Sequence, residues 1–129
     1  MIHINLAINN EEVPNLRAAV GWTRRDCDYP ALFQRCTFWA GARDEQGMLI
    51  AFGYVAGMGL EHGYMEDIMI HPNKQSQGIG QRLVTTLLAE SKVRGLDIVT
   101  LTYVSEHQTF YEQCGFAASH AGIWRAKHL

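Results

Sequence analysis

The stretch that decides the fold runs from residue 68 to residue 80 and reads IMIHPNKQSQGIG. Its apolar start, the proline at position 72 and the glycines Gly78 and Gly80 predict a strand, a loop and the beginning of a helix. Free backbone N–H groups and the positive end of the helix dipole favour an anion at such a helix start, and glycine lets that anion approach closely. The pattern therefore indicates a phosphate or pyrophosphate site, or else tight packing between strand and helix. It is neither a P-loop nor the three-glycine dinucleotide fingerprint.

The elements around this stretch follow from hydrophobic periodicity and turn residues. Apolar residues recur at helical spacing after Gly78 and end at the Arg94-Gly95 pair, which makes this the clearest helix of the chain. The predicted strands cover residues 2–8, 36–42, 48–57, 63–70 and 98–104, with a final hairpin within 116–127 around Ala121-Gly122. The predicted helices run from Asn9 or Asn10 to Val20, from Tyr29 or Pro30 to about 35, over 78–94 and over 105–114. Alternating strands and helices indicate an α+β, α/β/α-like domain with a mixed sheet.

Composition limits what the chain does. Its 129 residues, 47% of them hydrophobic, are enough for one core, so we predict a single domain over residues 1–129. Eleven Lys and Arg against 13 Asp and Glu leave a net charge of −2 without a basic run, which argues against nucleic-acid binding. No stretch resembles a signal peptide or a membrane span, so we expect a cytoplasmic protein. The three cysteines and six singly placed histidines match no zinc motif, and we expect no metal.

A second motif, FYEQCGF, occupies residues 110–116. Ser105 and Gln108 stand before it in capping-box register, and Gly115 and Phe116 suit the end of a helix that closes in a Schellman turn. Helix packing alone explains the glycine and the phenylalanines. It explains Tyr111 about as well as a chemical role does.

Together, in this order and separation, the two motifs resemble the GNAT superfamily of acyl-CoA N-acyltransferases. Gln75, Gly78 and Gly80 match the family's glycine loop, and Tyr111 begins its late Tyr-Glu-x-x-Gly-Phe signature. The resemblance implies a twisted, mostly antiparallel mixed sheet in which two central parallel strands splay apart. One of them would end at Ile70 and the other would start near residue 98.

The resemblance also implies that acetyl-CoA, the acyl donor, lies in that opening. Its pantetheine arm would pair with the backbone of three strand residues, Ile68, Met69 and Ile70. Its pyrophosphate would bind backbone amides of the loop and helix start, namely Gln75, Ser76, Gln77, Gly78, Ile79, Gly80 and Gln81.

The implied reaction is N-acetyl transfer to a primary amine by direct attack on the thioester. Tyr111 matches the family tyrosine near the sulfur and would protonate the departing thiolate. Glu66 and Asp67, in a run similar to that of glucosamine-phosphate acetyltransferases, would deprotonate or orient the amine. An equally good interpretation is that one of these carboxylates is solvated and the other belongs to a structural ion pair. A regular strand would place the two on opposite faces. His107 and water are further candidates for the base.

The acceptor is not identified by the sequence. A small-molecule amine and a peptide or protein amine both fit, as do acetyl and longer acyl groups. Candidate acceptor-binding residues lie before the hairpin, where core packing and solvated charge are the alternatives: Trp22, Arg24, Arg25, Tyr29 and Phe33. The two arginines hint at an anionic acceptor.

Two other functions stay open at this stage. The chain could be a non-catalytic CoA-binding regulatory module of the same fold, or a structural domain that does not bind CoA. A homodimer is consistent with the resemblance.

Overall fold

A computed structural model describes residues 1–127 of the chain. Five strands form one sheet: β1 (His3–Ile4), β2 (Phe38–Arg43), β3 (Leu49–Ala56), β4 (His62–Ile70) and β5 (Ile98–Thr100). The α-helices are α1 (Glu12–Ala19), α2 (Tyr29–Arg35), α3 (Ile79–Val93) and α4 (Gln108–Gln113). Short 3₁₀ turns at Pro72–Lys74 and Ser105–His107 precede α3 and α4.

The sheet has the order β1-β2-β3-β4-β5, and only the β4–β5 pair is parallel. A buried cluster on one face packs α3 and α4 against the sheet, with Leu83 and Leu87 fully buried. A second cluster on the other face packs α1 and α2 through Leu16 and Tyr29. The three layers confirm the predicted α+β, mostly antiparallel mixed fold.

The two parallel strands separate as predicted. The β4–β5 ladder joins only residues His62–Tyr64 to Ile98–Thr100. One step further, a side-chain bond of 2.8 Å between the Tyr64 hydroxyl and Thr102 Oγ1 still connects them. From Met65 onward, β4 pairs with β3 alone among the described residues. The end of β4 therefore presents an open edge.

A β-bulge interrupts β4 beside this opening. Tyr54 pairs with Glu66 and Phe52 with Met69, so two residues of β4 lie opposite the single residue Gly53. Asp67, inside the bulge, has a φ of 55°. A Cβ on Gly53 would lie 2.5 Å from Ile68 Cδ1 and 3.1 Å from Leu87 Cδ1, so a larger residue there would displace these side chains. The alternation expected for a regular β4 therefore does not hold across Glu66 and Asp67.

The C-terminal end of α4 agrees with the sequence, whereas its N-terminal end does not. Gly115 has a φ of 108° and its N–H donates to the carbonyl of Glu112, while the Phe116 N–H donates to that of Tyr111. These two bonds form the predicted Schellman turn. The predicted capping box does not form, because α4 begins after a 3₁₀ turn and the Ser105 hydroxyl bonds Glu106 instead.

Three strand predictions need correction. The strand expected over residues 2–8 pairs only at His3–Ile4, because Asn5 turns the chain with a φ of 52°. The strand expected over 98–104 keeps its ladder only to Thr100. The hairpin expected within 116–127 is absent from the described chain: residues 117–127 contain no strand and are exposed.

Candidate active site

The start of α3 has the geometry of an anion site. Gly78 caps the helix with a φ of 79°, and the space where its Cβ would stand is empty to 4 Å. The N–H groups of residues 79–81 have no acceptor within residues 1–127, as expected for the first turn of a helix. Gly80 differs, since a Cβ there would lie 3.2 Å from a ring carbon of Phe110. Backbone conformation therefore accounts for Gly78 and helix packing for Gly80.

The open edge of β4 offers backbone groups to a ligand. The His71 N–H donates to a carbonyl of β3 at 2.8 Å, and backbone groups of an antiparallel strand alternate between its two sides. Met69 therefore faces β3, whereas Ile68 and Ile70 face the opening. The Gln75 side-chain amide donates to the Ile70 carbonyl at 3.1 Å and ties the glycine loop to the strand end.

Asp67 belongs to a buried polar cluster on the α1–α2 face. An Arg17 guanidinium nitrogen lies 2.8 Å from its carboxylate, and the two side chains are only 9% and 10% exposed. The Tyr29 hydroxyl donates to the same oxygen. Burial, and then the bond to Asp67, raise the pKa of Tyr29 above its usual range. The arrangement is that of a structural ion pair.

Glu66 lies on the same face but is exposed. The Tyr54 hydroxyl donates to its carboxylate at 2.6 Å. Burial, followed by this hydrogen bond, raises the pKa of Tyr54, so the phenol keeps its proton. Glu66 also lines a cavity of about 540 Å³ between the splayed strands, which we call the splay cavity; Tyr64 and Thr102 line it as well. The bulge thus directs both carboxylates to one face but buries only Asp67.

Tyr111 lies on the α4 side of the opening. Its ring packs 5.2 Å from that of Tyr103, which follows β5, and 5.9 Å from that of Phe116. Burial raises its pKa to about 12, with Cys114 contributing less. The hydroxyl has no hydrogen-bond partner within residues 1–127 and reaches solvent, since it is not among the buried unpartnered atoms. The Tyr111 phenol is therefore protonated and has no partner among residues 1–127.

The five predicted acceptor residues do not line one site, although Tyr29 and Phe33 contact each other with ring centroids 6.1 Å apart. Tyr29 is fully buried beside Asp67, and Phe33 packs against Trp39 with ring centroids 4.8 Å apart. Trp22 stacks 5.3 Å from the Arg17 guanidinium. Both core packing and solvated charge were alternatives raised by the sequence.

The two arginines of this segment separate. Arg24 bonds Asp26 and Asn15 on the surface. Arg25 bonds Asp28 through Nε at 2.7 Å and lines a second cavity of about 440 Å³. We call this the α2 cavity; it is lined by Arg25, Cys27, Asp28, Ala31, Leu32, Arg35, Cys36, Tyr54 and Ala56.

Sequence reasoning missed Tyr54 and Arg35. Tyr54 lies in a strand whose eight residues are nearly all buried, so its pattern indicated core packing. Arg35 stands in the last turn of α2, where a basic residue is usual. His107, the other candidate base, is exposed in the 3₁₀ turn before α4.

Among residues 1–127 no three His, Cys, Asp or Glu side chains are grouped so as to hold a metal ion. In the same part of the chain no helix is both long and apolar enough to cross a lipid bilayer.

The splayed sheet, the glycine-capped helix and the late tyrosine are the features that the resemblance to the GNAT fold implies. A family model described as an acetyltransferase (GNAT) domain matches residues 34–118, and the chain therefore belongs to the GNAT acetyltransferase family. This membership, with relatives named as N-acetyltransferases, supports an acyltransferase.

Individual relatives agree. The chain is 22% identical over 126 residues to an uncharacterized N-acetyltransferase of Gracilaria tenuistipitata var. liui, covering 95% of this chain and 69% of the relative. A GNAT family acetyltransferase structure from Streptococcus pneumoniae superposes with a TM-score of 0.81 at 24% identity, covering 99% of this chain and 98% of that one. The structure of glucosamine-6-phosphate N-acetyltransferase from Arabidopsis thaliana superposes with a TM-score of 0.75 at 21% identity, covering 99% of this chain and 98% of that one. At these identities the structural matches establish the fold.

Proposed function

We propose that the protein is an N-acetyltransferase that transfers an acetyl group from acetyl-CoA to a primary amine by direct attack. The observation that carries the proposal is the exposed Glu66 carboxylate at the point where β4 and β5 separate. On one side of it lies the open edge of β4, and this edge leads to the free N–H groups at the start of α3.

The residues present fit acetyl-CoA, which would supply the thioester. The N–H groups at the start of α3 suit a pyrophosphate, and the empty space at Gly78 lets it approach the backbone. The outward-facing backbone of Ile68 and Ile70 suits an amide-containing arm that adds to the sheet edge as a strand does. Side chains contribute little to either contact.

Glu66 and Tyr111 have complementary environments for the transfer. The exposed Glu66 carboxylate is placed to accept a proton from the amine, while Tyr54 holds one of its oxygens at 2.6 Å. Tyr111, with a pKa of about 12, stays protonated at neutral pH and is suited to donate its proton to a thiolate. Asp67 serves a different purpose, because protonating it would leave Arg17 buried without its partner.

The cysteines support direct attack over an acyl-cysteine route. Burial raises the pKa of the Cys114 thiol and raises that of Cys36 to about 11. A thiol that keeps its proton is a poor nucleophile, since the thiolate is the reactive form. Cys27 is exposed in the loop before α2 and lines the same cavity as Arg25, so a raised thiol pKa disfavours only Cys36 and Cys114 as nucleophiles.

The first test is titration of the protein with acetyl-CoA, comparing Gly78→Ala with Gly95→Ala. Both glycines have a positive φ, 79° and 84°, and open space for a Cβ, but they stand at opposite ends of α3. Equal backbone strain should cost both variants about 1 kcal/mol of stability. Only Gly78→Ala should weaken acetyl-CoA binding, and equal affinities in the two variants would contradict the pyrophosphate site. Gly80 is unsuitable, since its replacement would displace Phe110.

Turnover separates the enzyme from the second candidate, a CoA-binding regulatory module. With a panel of primary amines, Glu66→Gln and Tyr111→Phe should each lower kcat by roughly 10²- to 10⁴-fold and leave acetyl-CoA affinity nearly unchanged. Binding without transfer to any amine would favour the regulatory module. A cytoplasmic location and a homodimer belong to the proposal and stay predictions.

A further inference from the structure

We infer that the α2 cavity binds the acceptor, and that the acceptor is a small primary amine carrying an anionic group, a carboxylate or a phosphate. This inference rests on the proposed function. It names the substrate class of the same site from the residues that line the cavity.

The position of the cavity connects it to the chemistry. Tyr54 lines the α2 cavity, and its hydroxyl bonds the Glu66 carboxylate at 2.6 Å. Glu66 in turn lines the splay cavity. The hydrogen-bonded Tyr54–Glu66 pair therefore lies between the two cavities. An amine held in the α2 cavity therefore lies beside Tyr54, whose hydroxyl bonds Glu66.

The charges of the α2 cavity favour an anion. Arg25 bonds Asp28 only through Nε, which leaves its terminal nitrogens free, and Arg35 has no ion-pair or hydrogen-bond partner within residues 1–127. The lining thus contains two guanidinium groups and one carboxylate, although the net charge of the whole chain is −2. Arginine pairs with carboxylates and phosphates through two parallel hydrogen bonds, so this excess of positive charge selects an acceptor with such a group.

The size and lining of the cavity suit a small acceptor. About 440 Å³ lies at the lower end of the range for small-molecule sites, and its apolar walls are short side chains such as Ala31, Leu32 and Ala56. These walls suit a compact carbon skeleton between the anionic group and the amine. A peptide would have to bind mainly outside the cavity.

The test compares amines that differ only in the anionic group: phosphoethanolamine with ethanolamine, and β-alanine with propylamine. Each is assayed for acetyl transfer and, separately, for binding by titration in the presence of CoA, which needs no turnover. We expect the wild-type protein to prefer the anionic member of at least one pair by roughly 10- to 100-fold in kcat/KM, the value of one charge-assisted contact. The pair that shows the preference distinguishes phosphate from carboxylate.

Arg35→Gln should abolish most of this preference, because it should lower kcat/KM for the anionic amines about 10-fold or more and much less for the neutral ones. Lys92→Gln, which removes the same charge at the far end of α3, should keep it. Arg35→Lys guards against a folding defect, since it keeps the charge and should keep part of the preference.

Three results would overturn the inference: equal use of anionic and neutral amines, an Arg35→Gln loss shared by neutral amines, or transfer to peptide amines alone. If acetyl-CoA binding itself fails, the proposed function fails first. Titration then still decides whether the α2 cavity binds an anionic amine, and no binding there overturns the inference independently.

Discussion

Replacing Asp67 by Asn tests whether the bulge in β4 is held by a buried ion pair. The substitution keeps the shape of the side chain but removes the charge that faces Arg17 at 2.8 Å, where both side chains are at most 10% exposed. Breaking a buried pair from one side costs about 3–5 kcal/mol, because the remaining charge is uncompensated. The asparagine still accepts hydrogen bonds from Arg17 and Tyr29, so we expect about 3 kcal/mol. In a domain of this size that lowers Tm by roughly 10 °C.

The assay is denaturant unfolding and calorimetry of Asp67→Asn beside Asp26→Asn. Asp26 makes the same kind of pair, with Arg24 at 2.9 Å, but the two side chains are 56% and 43% exposed. Exposed pairs contribute little because water and salt screen them, so the Asp26 variant should melt with the wild type. Equal melting temperatures for both variants would refute the reasoning, and the Asp67 carboxylate would then be free for another role.

Three further predictions concern single positions. Gly53→Ala should destabilise the domain by about 1–3 kcal/mol, since the new methyl would lie 2.5 Å from a side chain of β4, whereas Gly122→Ala, in open space, should not; calorimetry decides. The hydrogen bonds from Arg43 lower the pKa of Glu12 in the folded protein. The stability that Glu12 contributes is therefore complete above its pKa in the unfolded chain, about 4.3, and is lost as pH falls through its pKa in the folded protein. Acid unfolding of Glu12→Gln should accordingly depend less on pH between about 5 and 3. Burial raises the pKa of Tyr111 to about 12. Its contribution to folding stability is therefore complete below about pH 10 and is lost as pH rises toward 12. In alkaline unfolding, Tyr111→Phe should lose less stability over that interval than the wild type does.

The parts of the fold that were predicted correctly rest on local signals. The helix expected over 78–94 is Ile79–Val93, because its apolar spacing, its glycine cap and its final Arg94-Gly95 pair all agree. The cap expected for α1 at Asn9 or Asn10 is wrong, because the N-cap is Glu11 and makes no side-chain cap bond; the Asn9 side chain accepts only from the Glu11 N–H, at 3.2 Å.

The failures arise where long-range contacts decide. The segment after Phe116 has turn residues and apolar positions suited to a hairpin, but within the described chain it finds no strand to pair with. A strand forms only when its edge is matched by another, and spacing along the chain does not show that. Likewise, the aromatic residues Tyr29 and Phe33 look alike as acceptor contacts or core residues until α2 docks on the sheet and packs them against Phe52.

The bulge decides the question that the sequence left open about the two carboxylates. In a regular strand one of them would face α3 and only the other could reach the α1–α2 side. With one extra residue opposite Gly53, both Glu66 and Asp67 reach that side, and their roles divide by burial instead. Asp67 pairs with Arg17, and protonation of Asp67 would leave the buried positive charge of Arg17 uncompensated. Asp67 is the neighbour of Glu66 in the bulge, so we expect its buried ion pair to fix the backbone beside the carboxylate that lines the splay cavity. Loss of stability in Asp67→Asn and loss of turnover without loss of stability in Glu66→Gln would separate the two roles.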